Sequence, residues 1–418
     1  MIKKAIIPAA GRSSRLWPQN QKHKSLTRIM GRSLISYALQ GLKEAGINEA
    51  WVVQGPERDV EKELKKEKTG LKIKYVVQPK PRGTGDALLG ALKFFKEDFV
   101  LAGPHKTDFA ENFRPFLKKT KKGRAVVFGV KTKNPWDFGI VKFASGRAKK
   151  IVENPAKGKE PSDIKATEVY VLPGNFREYL EKVKKREQSL IDAINLLLQE
   201  KGADFFLLKK DTVSLKYPWD ILPLLERMLE SKRLKKEVSS RAGIGKNVVI
   251  KGKVHVAENA VIGDNTVIYG PVFVGQGCVI GANNVLRGPV SLEKNAKTGA
   301  LCEIKNSLIG EGTHFHSGYV GDSVIGRDCR FGAGFLTANR RIDRKNIKVE
   351  IKGSKIDSGL TYFGTVVGNN SRFGARVSTM PGVLIGSGCR IGPNTTVSEN
   401  VSDNATYYSK FKNIVKKK

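Results

Sequence analysis

Ile244, Ile250, Val256, Ile262, Ile268, Val274, Ile280, Leu286 and Leu292 stand six residues apart without a break. A helix repeats every 3.6 residues and a strand every two, so neither generates this spacing. Between the aliphatics lie residues that turn the chain, among them Gly245, Gly263, Asn265, Gly281 and Asn283. A period of six with one branched aliphatic per repeat describes a coil of short flat strands, a parallel β-helix. Three such faces close one triangular coil, and successive coils stack at about the 4.8 Å spacing of paired strands. The aliphatics then fill the interior of the prism.

The coil accounts for less than half of the 418 residues, so a second domain precedes it. The formal net charge is +35, and Lys and Arg are spread along the whole chain, with one short run in the terminal KNIVKKK. Dispersed positive charge suits three things: a solvated surface in a salty or hot habitat, phosphorylated substrates, or nucleic acid. No aromatic-basic RNA motif accompanies it, so nucleic acid is not expected as a partner. Cys278, Cys302, Cys329 and Cys389 are isolated from one another, without a C-x-x-C pair, and read as small core residues of the coil. The apolar run Ala5–Ala10 is too short for a signal peptide, and no stretch is long enough to span a membrane. A cytoplasmic protein is expected.

In the amino-terminal half, Ala5-Ile6-Ile7-Pro8-Ala9-Ala10-Gly11 reads as a buried strand ending in small residues, followed by Arg12-Ser13-Ser14-Arg15-Leu16 and, further on, Lys24. Small residues let backbone N–H groups approach a phosphate, and cations neutralise it. The spacing predicts a helix over Ser33–Ala45, a strand over Glu49–Val53, a charged helix over Arg58–Glu67 and a strand over Lys72–Val77, an alternation that implies a parallel sheet. Next comes Gln78-Pro79-Lys80-Pro81-Arg82-Gly83-Thr84-Gly85-Asp86-Ala87-Leu88. AAGRSSRLWP at 9–18 with Lys24, and this second element, resemble the paired signatures of the sugar-1-phosphate nucleotidyltransferases. Ser13 stands where that family has its middle Gly, and His23 where it has Pro. The resemblance implies an α/β Rossmann-like nucleotidyltransferase domain. It gives Ala10, Gly11, Arg15 and Lys24 to the phosphates, with Arg15 and Lys24 as catalytic cations. Gln78, Gly83 and Thr84 go to a pyrimidine base of UTP or dTTP, since an amide offers both a donor and an acceptor.

Phe138-Gly139-Ile140-Val141 and Ile151-Val152-Glu153-Asn154-Pro155 resemble the family's Y-G-V-V and I-V-E-K-P motifs, so Gly139 and Glu153 fall at the sugar, and Asp192 matches its T-D-A. Asn154 replaces the Lys that holds the sugar phosphate. The two metal carboxylates are also replaced: Pro104 follows Phe99–Gly103 where the family has Gly-Asp, and Ser214 occupies the second position, in Thr212–Asp220. No metal ligand is therefore assigned. Mg²⁺ is implied as cofactor if this site turns over, because the chemistry is positioning and charge neutralisation around an α-phosphorus.

An amphipathic helix over Leu222–Glu230 and a basic run to Arg241 lead into the coil, which sets domains at 1–235 and 236–418. The ladder loosens over Lys294–His316, resumes at Val320–Phe331, and leaves the prism as a basic loop at Asn339–Lys355. Glu303-Ile304-Lys305-Asn306-Ser307, His316-Ser317-Gly318-Tyr319-Val320-Gly321-Asp322-Ser323, Gly332-Ala333-Gly334, Ala338-Asn339-Arg340 and Met380-Pro381-Gly382 resemble the acetyltransferase half of archaeal bifunctional sugar-1-phosphate nucleotidyltransferase/aminosugar-1-phosphate acetyltransferases. The resemblance implies an all-β left-handed parallel β-helix of hexapeptide repeats that packs as a homotrimer. In it His316 is the general base toward acetyl-CoA, an imidazole titrating near neutrality. Lys305 and Tyr319 hold the sugar phosphate, and Asn339 falls among the substrate-binding residues. Thr361-Tyr362 replaces an Arg-Lys pair, Gly368-Asn369 a Gly-Asp, and Arg330 stands where Asn is frequent. Two readings stay open: a transferase making a UDP- or dTDP-linked N-acetylaminosugar, with the nucleotidyl-transfer site inactive or active, and a catalytically silent paralogue that binds sugar nucleotides.

Overall fold

The computed structural model describes residues 2–67, 69–184, 186, 188–211 and 214–412. Thr212 and Val213 of the Thr212–Asp220 motif, and 413–418 of the basic terminal run, lie outside the described residues. The chain forms two compact units: Met1–Arg12, Lys22–Thr27 and Arg32–Ser214 make the first, and Ser13–Gln21, Arg28–Gly31 and Leu215–Lys418 the second.

The first unit is a mixed sheet covered by helices. Its elements are β1 (Lys4–Ala9), α1 (Leu34–Glu44), β2 (Glu49–Gln54), α2 (Asp59–Leu64), β3 (Lys72–Val77), α3 (Thr84–Leu92), β4 (Phe99–Ala102), α4 (Phe109–Leu117), β5 (Ala125–Lys131), β6 (Gly139–Ala144), β7 (Arg147–Glu153), β8 (Ile164–Leu172), α5 (Phe176–Lys182), α6 (Ser189–Glu200) and β9 (Ala203–Leu207). The order across the sheet is β3-β2-β1-β4-β8-β5-β9-β7-β6. β1 pairs in parallel with both β2 and β4. The order therefore reverses at β1, which opens a crevice at the carboxyl ends of β1 and β4, the place where such sheets bind ligands. The expected parallel sheet holds for β3-β2-β1-β4 and for β5 with β9, whereas β8 runs antiparallel between β4 and β5. The reason is local: β6 and β7 form an antiparallel hairpin, and β8 returns beside it instead of crossing over a helix. Ile6, Val53, Leu88 and Phe99 build the core on one face of the sheet, and Ile7, Leu39, Val52 and Phe113 on the other.

The second unit is the coil. α7 (Ile221–Glu230) buries Leu222, Leu225, Met228 and Leu229 against strands 285–292 and 302–309. Beyond it, registers such as Val254↔Val272, Val261↔Val279 and Val267↔Val285 advance by one coil of 18 residues on three separate faces. Val256, Ile262, Ile268, Val274, Ile280, Leu286 and Leu292 are fully buried, as the ladder requires. Ile244 is not: it is 43% exposed, and Ile250 is only half-buried. These belong to the first coil, which has a neighbour on one side only.

Two further expectations need correction. The prism does not loosen over Lys294–His316. Strands continue at Lys297–Thr298, Cys302–Ile309 and His314–Phe315, but the coil shortens, with Glu303↔Tyr319 advancing 16 residues. Shortening breaks the sixfold spacing, and the interior positions pass to Thr298 and Phe315, neither of which is aliphatic. Nor is the insertion an open loop. Lys348–Ile351 and Ser354–Asp357 form an antiparallel hairpin whose turn, Lys352 and Gly353, has two positive φ angles. Ile347, Val349 and Ile351 alternate inward and are buried, and a Cβ on Gly382 would stand 2.6 Å from Ile347.

One interior column of the later coils is aromatic. Phe315 stacks on Phe331 at 4.3 Å between centroids, and Phe331 on Phe373 at 4.4 Å. Phe331→Ala opens a cavity in that stack, and thermal or denaturant unfolding of the second unit is expected to register a loss of about 3–5 kcal/mol.

Candidate functional site

At the carboxyl end of β1, Ala10 is half-buried and Gly11 is exposed, with no atom within 4 Å of where its Cβ would lie. Open space beside a strand end leaves room for a phosphate to approach the backbone. Lys24 begins a single 3-10 turn, Lys24–Leu26, capped by His23. His23 Nδ1 accepts from the Ser25 amide at 3.3 Å and sits 2.8 Å from Ser25 Oγ. An accepting Nδ1 means a neutral ring. Burial, and then the Lys24 ammonium, hold its pKa down at about 3. Arg15 lies on the turn Ser14–Leu16, in a segment that groups with the second unit, where Gln19 Nε2 donates to Val367 O at 2.6 Å. Lys24 is thus grouped with Gln78 and Glu153, and Arg15 is not.

Gln78 follows β3 and is buried. Its amide nitrogen donates to Asp86 Oδ2 at 2.7 Å and to Gly83 O at 3.3 Å. Gly83 has φ +99, a conformation that favours glycine, and it caps α3, which Thr84 begins. Gly85 packs directly against Ser189 of α6, and a Cβ there would collide with the Ser189 hydroxyl. Gln78, Gly83 and Thr84 therefore form one rigid corner. On the far side of the sheet Gly139 and Glu153 are register partners across the β6–β7 hairpin, and a Cβ on Gly139 would strike the Glu153 carboxylate. Glycine at 139 is what lets the carboxylate lie over the strand.

Past β4 and Gly103 stands Pro104, and the turn buries two basic residues, His105 and Lys106. Both face Glu168, with His105 Nε2 at 3.4 Å and Lys106 Nζ at 3.7 Å from Oε2. Glu168 sits at a register shift in β8 with φ +59, and such bulges re-aim a side chain. Buried Tyr170 lies within electrostatic reach of both Glu168 and Glu153. Burial, then Glu153 and Glu168, push its phenol pKa upward. A second buried cation escaped sequence reading: Lys165, paired with Ile140 in register, lies 2.9 Å from Asp211 Oδ1 and over the Phe138 ring. No motif marks it, because an isolated Lys in a strand reads as solvated. Asp192, matched to the T-D-A motif, pairs at the surface with Arg186. Among the described residues no three His, Cys, Asp or Glu side chains gather into a metal site.

On the coil, Lys305, Tyr319 and Asn339 come together around a residue given no role from sequence, Asp322. Its carboxylate is buried, receives Asn306 Nδ2 at 2.7 Å and Asn339 Nδ2 at 2.5 Å, and lies 3.3 Å from Lys305 Nζ. Asn339 also donates to the Tyr319 hydroxyl at 3.0 Å. Gly321 is required here, since a Cβ would meet that hydroxyl and the Asn339 amide. Tyr362, which replaces a cation of the family pattern, is held between Lys305 at 4.6 Å and Arg340 at 4.7 Å. The His316 side chain is exposed, and its backbone N–H donates to Phe331 O at 2.9 Å. The cysteines are free and buried. Burial pushes Cys278 to about 12, and Cys302 and Cys329 to about 11, so none is a ready thiolate.

The His23 cap has a pH signature. Its folded pKa lies below the ordinary value, so its contribution is complete above about pH 6.5 and is lost as pH falls toward 3. Between pH 6.5 and 4.5 the first unit is expected to lose roughly 1–2 kcal/mol from this group, after allowance for its partial exposure. Unfolding of His23→Asn, whose side-chain oxygen can still cap, should be flatter over that range.

A family model described as nucleotidyl transferase matches residues 4–220. Two hexapeptide models match the coil: bacterial transferase hexapeptide at 364–399, and hexapeptide repeat of succinyl-transferase at 271–300. The chain is 34% identical to a bifunctional sugar-1-phosphate nucleotidylyltransferase/acetyltransferase of Sulfurisphaera tokodaii, over 95% of this chain and 98% of that protein. It is 36% identical to a bifunctional protein GlmU of Methanococcus maripaludis and 33% identical to one of Methanocaldococcus jannaschii, each over 99% of both chains. With both halves matched from end to end, the chain belongs to the family of bifunctional sugar-1-phosphate nucleotidyltransferase/acetyltransferase proteins, a nucleotidyl transferase domain followed by a hexapeptide-repeat β-helix.

Proposed function

We propose that this chain is a bifunctional transferase. Its first unit joins a sugar 1-phosphate to UTP or dTTP, and its coil transfers an acetyl group from acetyl-CoA to the amine of an aminosugar 1-phosphate. The observation that carries the reading is the set of groups drawn together on the coil, where Lys305 and Asn339 converge on Asp322 and Asn339 also donates to the Tyr319 hydroxyl. A cation, a hydroxyl and an amide within one hydrogen-bonded set suit a sugar phosphate. The amine attacks the thioester carbonyl, its proton passes to the His316 imidazole, the C–S bond breaks, and the thiolate leaves and takes up a proton. Acetyl-CoA enters as co-substrate.

In the first unit a phosphate oxygen of the sugar 1-phosphate attacks the α-phosphorus and pyrophosphate departs. Lys24 and, by its place in the motif, Arg15 neutralise charge on the phosphates. Gln78 and the Gly83-Thr84 corner receive the base, and Glu153 over Gly139 receives sugar hydroxyls. Pyrophosphate release from UTP or dTTP with glucosamine 1-phosphate or its N-acetyl form tests the first step. Thiol release from acetyl-CoA with glucosamine 1-phosphate tests the second. Lys24→Ala is expected to lower the first by about 10²–10³-fold, and His316→Ala the second by about 10²–10⁴-fold, each leaving the other step intact. A folded protein silent in both assays would sink the reading.

The coil is proposed to assemble as a homotrimer in the cytoplasm, where four buried free thiols stay reduced. Leu301 supports the assembly. It occupies a left-handed corner, φ +58, in the column where Asn265 and Asn283 stand, and it is 69% exposed. An apolar side chain in a strained, solvated corner makes physical sense when a second copy covers it. Light scattering should give three times the 46.1 kDa of one chain, and Leu301→Asn should shift it toward the monomer. A wild-type monomer at micromolar concentration would refute the trimer.

A further inference from the structure

The residues at the crevice of the first unit do not fit a divalent cation. Mg²⁺ is held by one or two carboxylates together with substrate phosphates. The two positions where the family pattern calls for those carboxylates hold Pro104 and Ser214. Directly after Pro104 the chain buries a cation instead. Lys106 is 1% exposed, and His105 beside it is 2% exposed. The turn Gly103-Pro104-His105-Lys106-Thr107 is closed by Lys106 N–H to Gly103 O at 3.2 Å and Thr107 N–H to His105 O at 2.9 Å, so the ammonium is part of a fixed bend. A Cβ on Gly103 would meet Glu168 Oε2 at 3.2 Å, His105 Cε1 at 3.5 Å and Lys106 Cε at 3.5 Å, which places all three groups at the end of β4.

Two more observations point to a ligand. Neither ring nitrogen of His105 makes a hydrogen bond, although both are buried and Nε2 stands 3.4 Å from Glu168 Oε2, and a buried polar atom left so is costly unless something completes it. Lys24, the cation of the β1 signature, lies close enough to act on the same ring. Glu168, the carboxylate that faces this group, is itself 56% exposed at the side chain and can swing into water.

We propose that Lys106, with His105 beside it, takes the charge-neutralising place of a divalent metal at the carboxyl ends of β1 and β4, so that this unit holds the phosphates of a nucleoside triphosphate without Mg²⁺. The inference rests on the reading of the first unit as a nucleotide site. An ammonium and an imidazole N–H donate hydrogen bonds to phosphate oxygens, where a metal would coordinate them. A dication in the same bend would meet Lys106 and Lys24 as like charges. On phosphate arrival Glu168 gives up its place beside Lys106 and turns to solvent.

Calorimetric titration of the full chain with UTP and dTTP, in EDTA and in Mg²⁺, tests this, with uridine and thymidine as phosphate-free probes. The better triphosphate should bind in EDTA within about threefold of its affinity in Mg²⁺. Lys106→Met, similar in volume, should weaken it in EDTA by about tenfold or more and leave nucleoside binding unchanged. Glu168→Gln, at an exposed side chain, should tighten it, because a competing carboxylate is gone. Triphosphate binding that requires Mg²⁺, or that is indifferent to Lys106→Met, or that fails to tighten in Glu168→Gln, overturns the proposal while the nucleotide site stands. Absence of triphosphate and nucleoside binding in both buffers overturns the nucleotide reading, and the proposal with it.

Discussion

Everything in the carboxy-terminal unit depends on the stacking of one coil on the next. Each short strand exchanges its backbone hydrogen bonds with the strand one coil earlier and one coil later, and each interior side chain rests on its equivalents. No single coil could bury its own apolar face, so stability accrues coil by coil. The first coil, with no neighbour beneath it, shows the cost in the exposure of Val238 and Ile244. The same stacking makes the site. Tyr319 is set in register between Glu303 and Leu336, and Lys305 beside Gly321, by pairings that are purely backbone. Lys305 and Tyr319 are therefore placed by the ladder rather than by a loop of their own.

The coil also bears on the charge of the chain. Lys297, His314, Arg330, Arg372 and Arg390 follow one another in register up one face. Like charges facing each other across strands repel. Two of the guanidinium groups turn to backbone carbonyls at the corners, Arg330 to Gly312 O and Arg372 to Asp328 O, so these two cations double as caps for acceptors. Part of the +35 is thus structural: it satisfies carbonyls and leaves the rest of the charge in water, where salt screens it.

In the first unit the governing constraint is close approach. Gly139 lies under the Glu153 carboxylate, Gly85 against Ser189, and Gly103 among Glu168, His105 and Lys106. Each glycine marks a place where another residue's polar atoms occupy the volume of a side chain. The same economy of space puts buried lysines, Lys106 and Lys165, in a unit whose chemistry concerns anions.

The sequence by itself determined the fold class of both units, because a sixfold aliphatic ladder and a βαβ alternation are one-dimensional patterns. It also gathered glycines and polar residues into contiguous motifs, Ala9–Pro18 and Gln78–Leu88 among them, which the resemblance offers as candidate site residues. It did not reach the buried, convergent placement of Asp322, Lys165, His105 or Lys106. Asp322 stands out because Lys305 and Asn306 of one strand and Asn339 from farther along the coil converge on it, Lys165 because β8 returns antiparallel beside β6, and His105 and Lys106 because a turn after β4 carries them into the interior. Burial and convergence are properties of the packed chain, and neither leaves a period in the sequence. The loss of the ladder at Lys294–His316 has the same origin: the coil persists when its length changes, because backbone pairing does not require a fixed number of residues per turn, whereas the pattern in the sequence does.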